Sequence, residues 1–336
     1  MPDSTLSTLE KIIIKVRRLT RSMSEAQLPN NDIINYINIF VLYDFPEHLR
    51  LMTLRTTLTF YAQPNIDVYE TSTDPLDPLF NFKNQYISVH TPIYIAGYQS
   101  MYSQSREQFF AIYPMLNNIS SIGTAGDGVT TNFSGTIANV PFLRNNVLFD
   151  SVDINGNALT LRDSPIASTQ SGNLVSVQSG ANVGTVNYST GAFTLTFPVA
   201  PAVGQAINSQ TVPYVASRPQ SMLFFNSQFT LRPVPDQPYR IDMEVYRRPT
   251  ELLELNQQPD LCEWWQYIAY GATKKIFEDR MDPESVQIIM PEFKKQESLI
   301  NRRTIVQQTD QRTSTIYTEG VAGGYGSGWW YGGGNF

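Results

Sequence analysis

Apolar residues near the start of the chain fall at Leu6, Leu9, Ile13, Val16 and Met23, spacings of 3, 4, 3 and 7 that mark one face of a helix. They predict a helix over about 5–22, with Ser7 and Glu10 at capping-box spacing. After Pro29-Asn30, the stripe Ile33, Ile34, Ile37, Phe40 and Val41 predicts a second helix over about 31–44, and the short linker makes the two an antiparallel pair. The same period returns late in the chain. Asp260, with Glu263 at the reciprocal capping-box position, predicts a helix over about 260–280 carrying Trp264, Trp265, Ile268, Ala272 and Ile276. Asp282-Pro283-Glu284 places an N-cap before a proline at the first helical position, opening a fourth helix over about 283–306 with Val286, Ile289, Met290, Phe293 and Ile300 as its buried stripe.

Between these helices the period shortens to two. Thr56 to Tyr61 and Tyr86 to Val89 read as strands, broken up by Pro64, Pro75, Pro78 and Pro92, and Ser105 to Leu116 reads as a short helix. Phe229 to Arg232 and Tyr239 to Tyr246 alternate on either side of the proline-rich 233–238, which predicts a hairpin with Tyr239, Ile241, Met243 and Val245 inward. Residues 119–216 stand apart, because their 98 positions carry only Arg144, Arg162, Asp127, Asp150, Asp153 and Asp163 as charges. Short strands there are separated by Asn155-Gly156, Ser179-Gly180, Thr190-Gly191 and Val203-Gly204, the pattern of a β-sandwich or small barrel.

The expected fold class is therefore α+β: a helical body of about four main helices with short β-strands, and an inserted all-β sandwich or barrel module. The body takes 1–118 and 217–316, the module 119–216, and a flexible tail 317–336, which holds eight glycines, six aromatics and Glu319 as its single charge.

At 336 residues, 41% hydrophobic and 16% charged, the chain can bury a sizeable core. A net charge of −6 argues against sequence-independent nucleic-acid binding by the chain as a whole. The one cysteine, Cys262, cannot form an internal disulfide, and no run approaches the ~18–20 apolar residues of a membrane span, so neither an oxidising compartment nor a membrane partner is expected. The first residues lack the continuous apolar region of an export signal.

Chemistry has little to start from. Only His48 and His90 could serve as a histidine base, and neither lies near a recognisable nucleophile motif. Cys/His clusters are missing, and Asp153 to Asn157, similar to the opening of a calcium loop, has Ala158 where the loop needs glycine and Ser164 where it needs Glu. The glycines at 123, 126 and 128 are followed by no Lys-Ser/Thr. No catalytic residue, metal or cofactor is expected. Lys11, Lys15, Arg18 and Arg21 have the 4, 3, 3 spacing of a basic helix face, and Trp329, Trp330 and Tyr331, flanked by Tyr325 and Phe336, form an aromatic cluster with no local core to join. These nine are the candidate partner-interface residues.

The order strand, proline turn, strand, Tyr246-Arg247-Arg248-Pro249, Pro259-Asp260 and Trp-rich helix resembles the head-to-tail adaptor proteins of tailed bacteriophages, over roughly 222–303. Ser134 to Pro141 with Gly184 to Phe197 is similar to a small β module recurring in phage virion proteins. The resemblance implies a structural virion protein, folded in the host cytoplasm and located in the head–tail neck. It would form a homo-oligomeric ring, twelvefold by analogy, between the portal protein and a downstream tail or nozzle protein, with non-specific contact to DNA in the channel. Two other readings stand beside it: a receptor- or carbohydrate-binding tail component using Tyr188, Phe193 and Phe197 to stack on sugars, and a wall-degrading tail protein using an unidentified carboxylate pair.

Overall fold

The structure, a computed structural model, describes residues 7–48, 52–166 and 169–303. It begins with α1 (Leu9–Thr20), α2 (Asn30–Ile39), a π-helical turn (Phe40–Asp44) and α3 (Phe45–His48). Next come β1 (Arg55–Ala62), β2 (Val68–Glu70), α4 (Phe82–Gln85), β3 (Tyr86–Ile95), β4 (Tyr98–Ser103) and α5 (Arg106–Ile112). Eight strands follow: β5 (Asn118–Ala125), β6 (Asn132–Thr136), β7 (Leu148–Val152), β8 (Ala158–Pro165), β9 (Ser171–Ser176), β10 (Asn182–Asn187), β11 (Ala192–Thr196) and β12 (Ala206–Thr211). The chain continues through β13 (Ser221–Phe225), β14 (Gln228–Arg232) and β15 (Tyr239–Arg247) to α6 (Trp265–Asp279) and α7 (283–303).

This overturns the expectation of a helical body with a few short strands. The described chain is mostly β, with 15 strands in two large curled sheets of seven and eight. The reason lies in residues 55–103 and 221–247, whose strands look short and isolated one at a time but pair with one another across the sequence. The chain divides into two compact units, 1–56 with 84–88 and 245–336, and 57–83 with 89–244, so the strand-rich stretches on either side of 119–216 group with that segment rather than with the helices.

In the helical unit, Leu9, Ile12, Ile13 and Val16 of α1 meet Ile33 and Ile37 of α2, Ile268, Ala272 and Ile276 of α6, and Phe293 and Ile300 of α7 in one apolar core. The caps differ from those the spacing suggests. Neither α1 nor α6 has a side-chain cap. The first free N–H groups of α1 instead donate to backbone carbonyls, Leu9 to Gln257 at 2.9 Å and Glu10 to Leu255 at 3.0 Å. Asp260 accepts the Thr250 N–H at 2.7 Å, Glu263 pairs with Arg303 at 2.6 Å, and Cys262–Trp264 forms a 3-10 turn ahead of α6. At α7, Asp282 does cap, accepting the Ser285 N–H at 3.1 Å.

The seven-stranded sheet runs β1-β15-β3-β4-β13-β14-β2. β14 and β15 are therefore not neighbours, which corrects the predicted hairpin. The hairpin that forms is β13–β14, with Phe225 opposite Gln228 and the two turn residues Asn226 and Ser227 at φ 51° and 59°. Two consecutive left-handed residues are what a tight antiparallel turn with the right twist requires. Phe60 on β1 and Phe229 on β14 have four strands between them in the order yet bring their rings to 5.8 Å, so the sheet curls on an aromatic filling that includes Phe82 and Phe224.

The eight-stranded sheet, β5-β12-β7-β8-β9-β10-β11-β6, is antiparallel at every pairing and takes all its strands from 118–211. Strands such as β9 alternate buried with half-buried positions. Phe149 on β7 and Phe193 on β11 approach to 4.9 Å with three strands between them, so this sheet also curls around its own core. Each sheet is associated with a deeply held aspartate. Asp67 lies 2.7 Å from Arg232, while Asp163 accepts the N–H groups of Asn145 (2.7 Å) and Val147 (3.1 Å) and the Tyr188 hydroxyl (3.0 Å).

Candidate partner interface

The basic residues of the first helix are placed by its apolar stripe: burying Leu9, Ile12, Ile13 and Val16 turns Lys11 and Arg18 to solvent. Lys15 is half-buried, its Nζ 5.5 Å from the Tyr270 ring on α6, and its charge helps Gln296 and Lys295 hold the Glu292 carboxyl on α7 below the usual carboxylate range, the Gln296 hydrogen bond being the main cause. Arg21 is exposed but lies past the helix, as a C-cap residue at φ 55°. The surface stripe is thus Lys11, Lys15 and Arg18, with Arg21 on the following turn. Arg17 points inward, donating to the carbonyls of Ser22 (3.3 Å) and Ser24 (3.0 Å) and to Asn30 Oδ1 (2.6 Å), and so ties the end of α1 to the start of α2. Tyr325, Trp329, Trp330, Tyr331 and Phe336 lie outside the described residues.

A cavity of about 340 Å3 in the helical unit was not anticipated from sequence. Three rings floor it, Phe40 from the π-helical turn, Tyr267 from α6 and Phe293 from α7, with centroids 5.3 Å apart for Phe40–Tyr267 and 4.8 Å for Tyr267–Phe293. Burial pushes the Tyr267 phenol up, and the charges of Glu297 and Asp44 add to the effect. Two ion pairs form the rim, Lys275–Asp44 at 2.8 Å and Lys274–Glu278 at 3.4 Å. Gly271 lets Phe40 lie against the α6 backbone, since a Cβ there would run into the ring. The one available signal was that glycine, mid-helix in an apolar stripe, where only a packing reason offsets its cost.

The other sequence candidates lie on separate elements. His90 Nδ1 lies 3.6 Å from Glu244, and His48 closes α3. Cys262 is half-buried in the 3-10 turn. The Asp153 carboxylate is taken up by its own turn, and the Asn157 side chain, then the N–H groups of Asn157 and Asn155 at 2.8 Å each, hold it below the usual carboxylate range. Tyr188, Phe193 and Phe197 are buried in the core of the eight-stranded sheet, so they offer no face to a sugar ring. Among the described residues no group of three or more His, Cys, Asp or Glu is placed to hold a metal ion, and no helix is long and apolar enough to cross a membrane. No protein-family model matches the chain, and no curated protein matches it.

Proposed function

We propose that this chain is a structural virion protein, the ring-forming adaptor that joins the portal to the tail in the neck of a tailed bacteriophage. The observation that supports this reading is that α1 and α2, from one end of the described chain, and α6 and α7, from the other, share one apolar core, while all fifteen strands lie between them in sequence. Such a chain supplies a helical platform and β modules to an assembly, and its mechanism is geometric. The exposed Lys11 and Arg18, with Lys15 and Arg21 beside them, face an acidic portal surface or DNA in the channel, and the aromatic residues of 325–336 add a second contact. Closure into a twelvefold ring turns many weak contacts into a strong one, so single surface substitutions have small effects on assembly.

The test is a cryo-electron microscopy reconstruction of the neck of the particle carrying this chain, with no symmetry imposed. The expected result is a closed ring of the helical unit directly beneath the portal. Finding the chain in peripheral fibres, or missing from the particle, overturns the proposal.

A further inference from the structure

Three loops at one end of the eight-stranded sheet, 126–131, 153–157 and 198–205, are tied into a single tip. On one side of 198–205 the Gly126 N–H donates to the Gln205 carbonyl (2.8 Å), the Gly204 N–H to the Gly126 carbonyl (2.9 Å) and the Gly128 N–H to the Pro201 carbonyl (3.0 Å). On the other, the Ala202 N–H donates to the Val152 carbonyl (2.9 Å), and Pro201 bridges to Asp153. Loops held in this way cannot fold their side chains inward. They present Val129 at 83% exposure, Val203 at 75%, Ile154 at 73% and Val199 at 45%, an apolar group that marks an interaction surface.

The exposed charge at the tip is negative. Asp127 is exposed, and the Thr130 hydroxyl, with the N–H groups of Thr130 and Val129, holds its carboxyl down to about 2. The only cations of 119–216 are Arg144, which precedes β7, and Arg162, which faces Leu148 at the start of β7, away from the Val152 end where the tip lies. Nucleic acid and anionic lipid are therefore repelled, and the partner that fits is apolar and basic.

The chain carries such a surface on α7. Burying Ile289, Phe293 and Ile300 turns Ile288 (74% exposed), Lys295, Leu299 (46%) and Arg302 outward, at spacings of 7, 4 and 3 that share one helix face. Lys294 stands beside them, and every exposed charge of α7 from 294 onward is positive.

We propose that the Val129–Ile154–Val203 tip of one copy of this chain docks on the α7 face of a second copy, its apolar side chains against Ile288 and Leu299 and Asp127 toward Lys294 and Lys295. Because the two patches differ, each contact leaves a free tip and a free face for further copies, which is how a ring is built. The contact gives the proposed ring a subunit interface and rests on that reading. Purified chain can fail to make it while the neck reconstruction still shows a ring, so the two failures are distinct. A contact this small belongs to the weak class, below ~1,200 Å2, with association on the ~10–100 µM scale.

Sedimentation velocity of the purified full-length chain tests this. Between ~5 and ~200 µM the weight-average mass is expected to rise at least ~1.5-fold. Ile154→Lys/Val203→Lys breaks the tip and Ile288→Glu/Leu299→Glu breaks the α7 face; both alter only exposed side chains, and each variant is expected to stay monomeric. An equimolar mixture of the two is expected to recover dimers and nothing larger, since one sound tip meets one sound face. An unaltered chain that stays monomeric, variants that associate as it does, or a mixture that stays monomeric overturns the proposal. A second measurement needs no substitution. Carbodiimide treatment of mixed isotopically light and heavy chains is expected to join Asp127 to Lys294 or Lys295 in mixed-label pairs; same-label pairs alone, or none, overturn the proposal equally.

Discussion

The two curled sheets bury the same side chain in different company. In the seven-stranded sheet Asp67, 3% exposed, meets a full opposite charge, since Arg232 at 2.7 Å is nearly as buried. In the eight-stranded sheet Asp163, 6% exposed, is held by dipoles: two backbone N–H groups and the hydroxyl of Tyr188. An ion pair concentrates its energy in one partner, so removing that partner strands a charge. A carboxylate held by several hydrogen bonds loses them one at a time, and each loss is smaller. The comparison predicts that the first sheet fails abruptly under mutation and the second fails in steps.

Arg232→Met should have the largest effect. It keeps most of the side-chain volume and leaves Asp67 buried without its counter-charge, for an expected loss of about 3–5 kcal/mol in urea denaturation followed by tyrosine near-ultraviolet circular dichroism. Trp264 and Trp265, the described tryptophans, lie outside this unit, so tyrosine is the probe used. Pairing the change with Asp67→Leu should recover most of the loss. A double variant as unstable as the single one would show that the pair matters through packing rather than charge.

Asp163→Ala comes next. It leaves the N–H groups of Asn145 and Val147 and the Tyr188 hydroxyl without their acceptor in the interior, for about 3 kcal/mol in the same denaturation. A loss as large as that of Arg232→Met would erase the distinction between the sheets. Gly172→Ala probes one of those bonds alone. The new methyl would collide with the Tyr188 hydroxyl, forcing the ring away from Asp163, and about 2 kcal/mol is expected from overpacking plus one lost bond. A neutral result would mean that the ring moves freely and that its hydroxyl contributes little.

How much of this was legible in the sequence follows the range of the interactions. The four main helices announce themselves because their stripes, such as Ile33, Ile37, Phe40 and Val41, repeat within a few residues. The turn at Asn155-Gly156 does so for the same reason. The β13–β14 hairpin escaped because its turn is Asn226-Ser227, without the glycine that usually marks one, and because alternation shows that β14 and β15 are strands without showing which strands they pair with. Asp67 and Arg232 are 165 residues apart, and nothing local to either announces the other. Among the candidate interface residues, the solvent-facing Lys11 and Arg18 were readable from helical spacing, which leaves the buried Arg17 off the basic stripe. The cavity joins residues from 40–44, 267–278 and 293, a set that only the packing of three helical segments brings together.

The smallest effect, and the most specific, is a dependence on pH. Burial pushes the Asp163 carboxyl above its ordinary value, and the Val147, Tyr188 and Asn145 hydrogen bonds offset this only in part. A carboxyl whose folded value is raised binds its proton more tightly in the folded chain than in the unfolded one, where the value is about 3.9. Its contribution to stability is therefore fully present below the unfolded value and is lost as the pH rises through the folded value. The amide of an Asp163→Asn variant carries no such titration, so the stability of the unaltered chain relative to that variant should grow as the pH is lowered from neutrality toward that value. Urea midpoints of both proteins at a series of pH values measure it. If the difference instead shrank on acidification, the three hydrogen bonds would outweigh burial, and Asp163 would be stabilised as a carboxylate as completely as a charge partner could achieve. The contrast between the two sheets would then lie in the number of bonds and not in their strength.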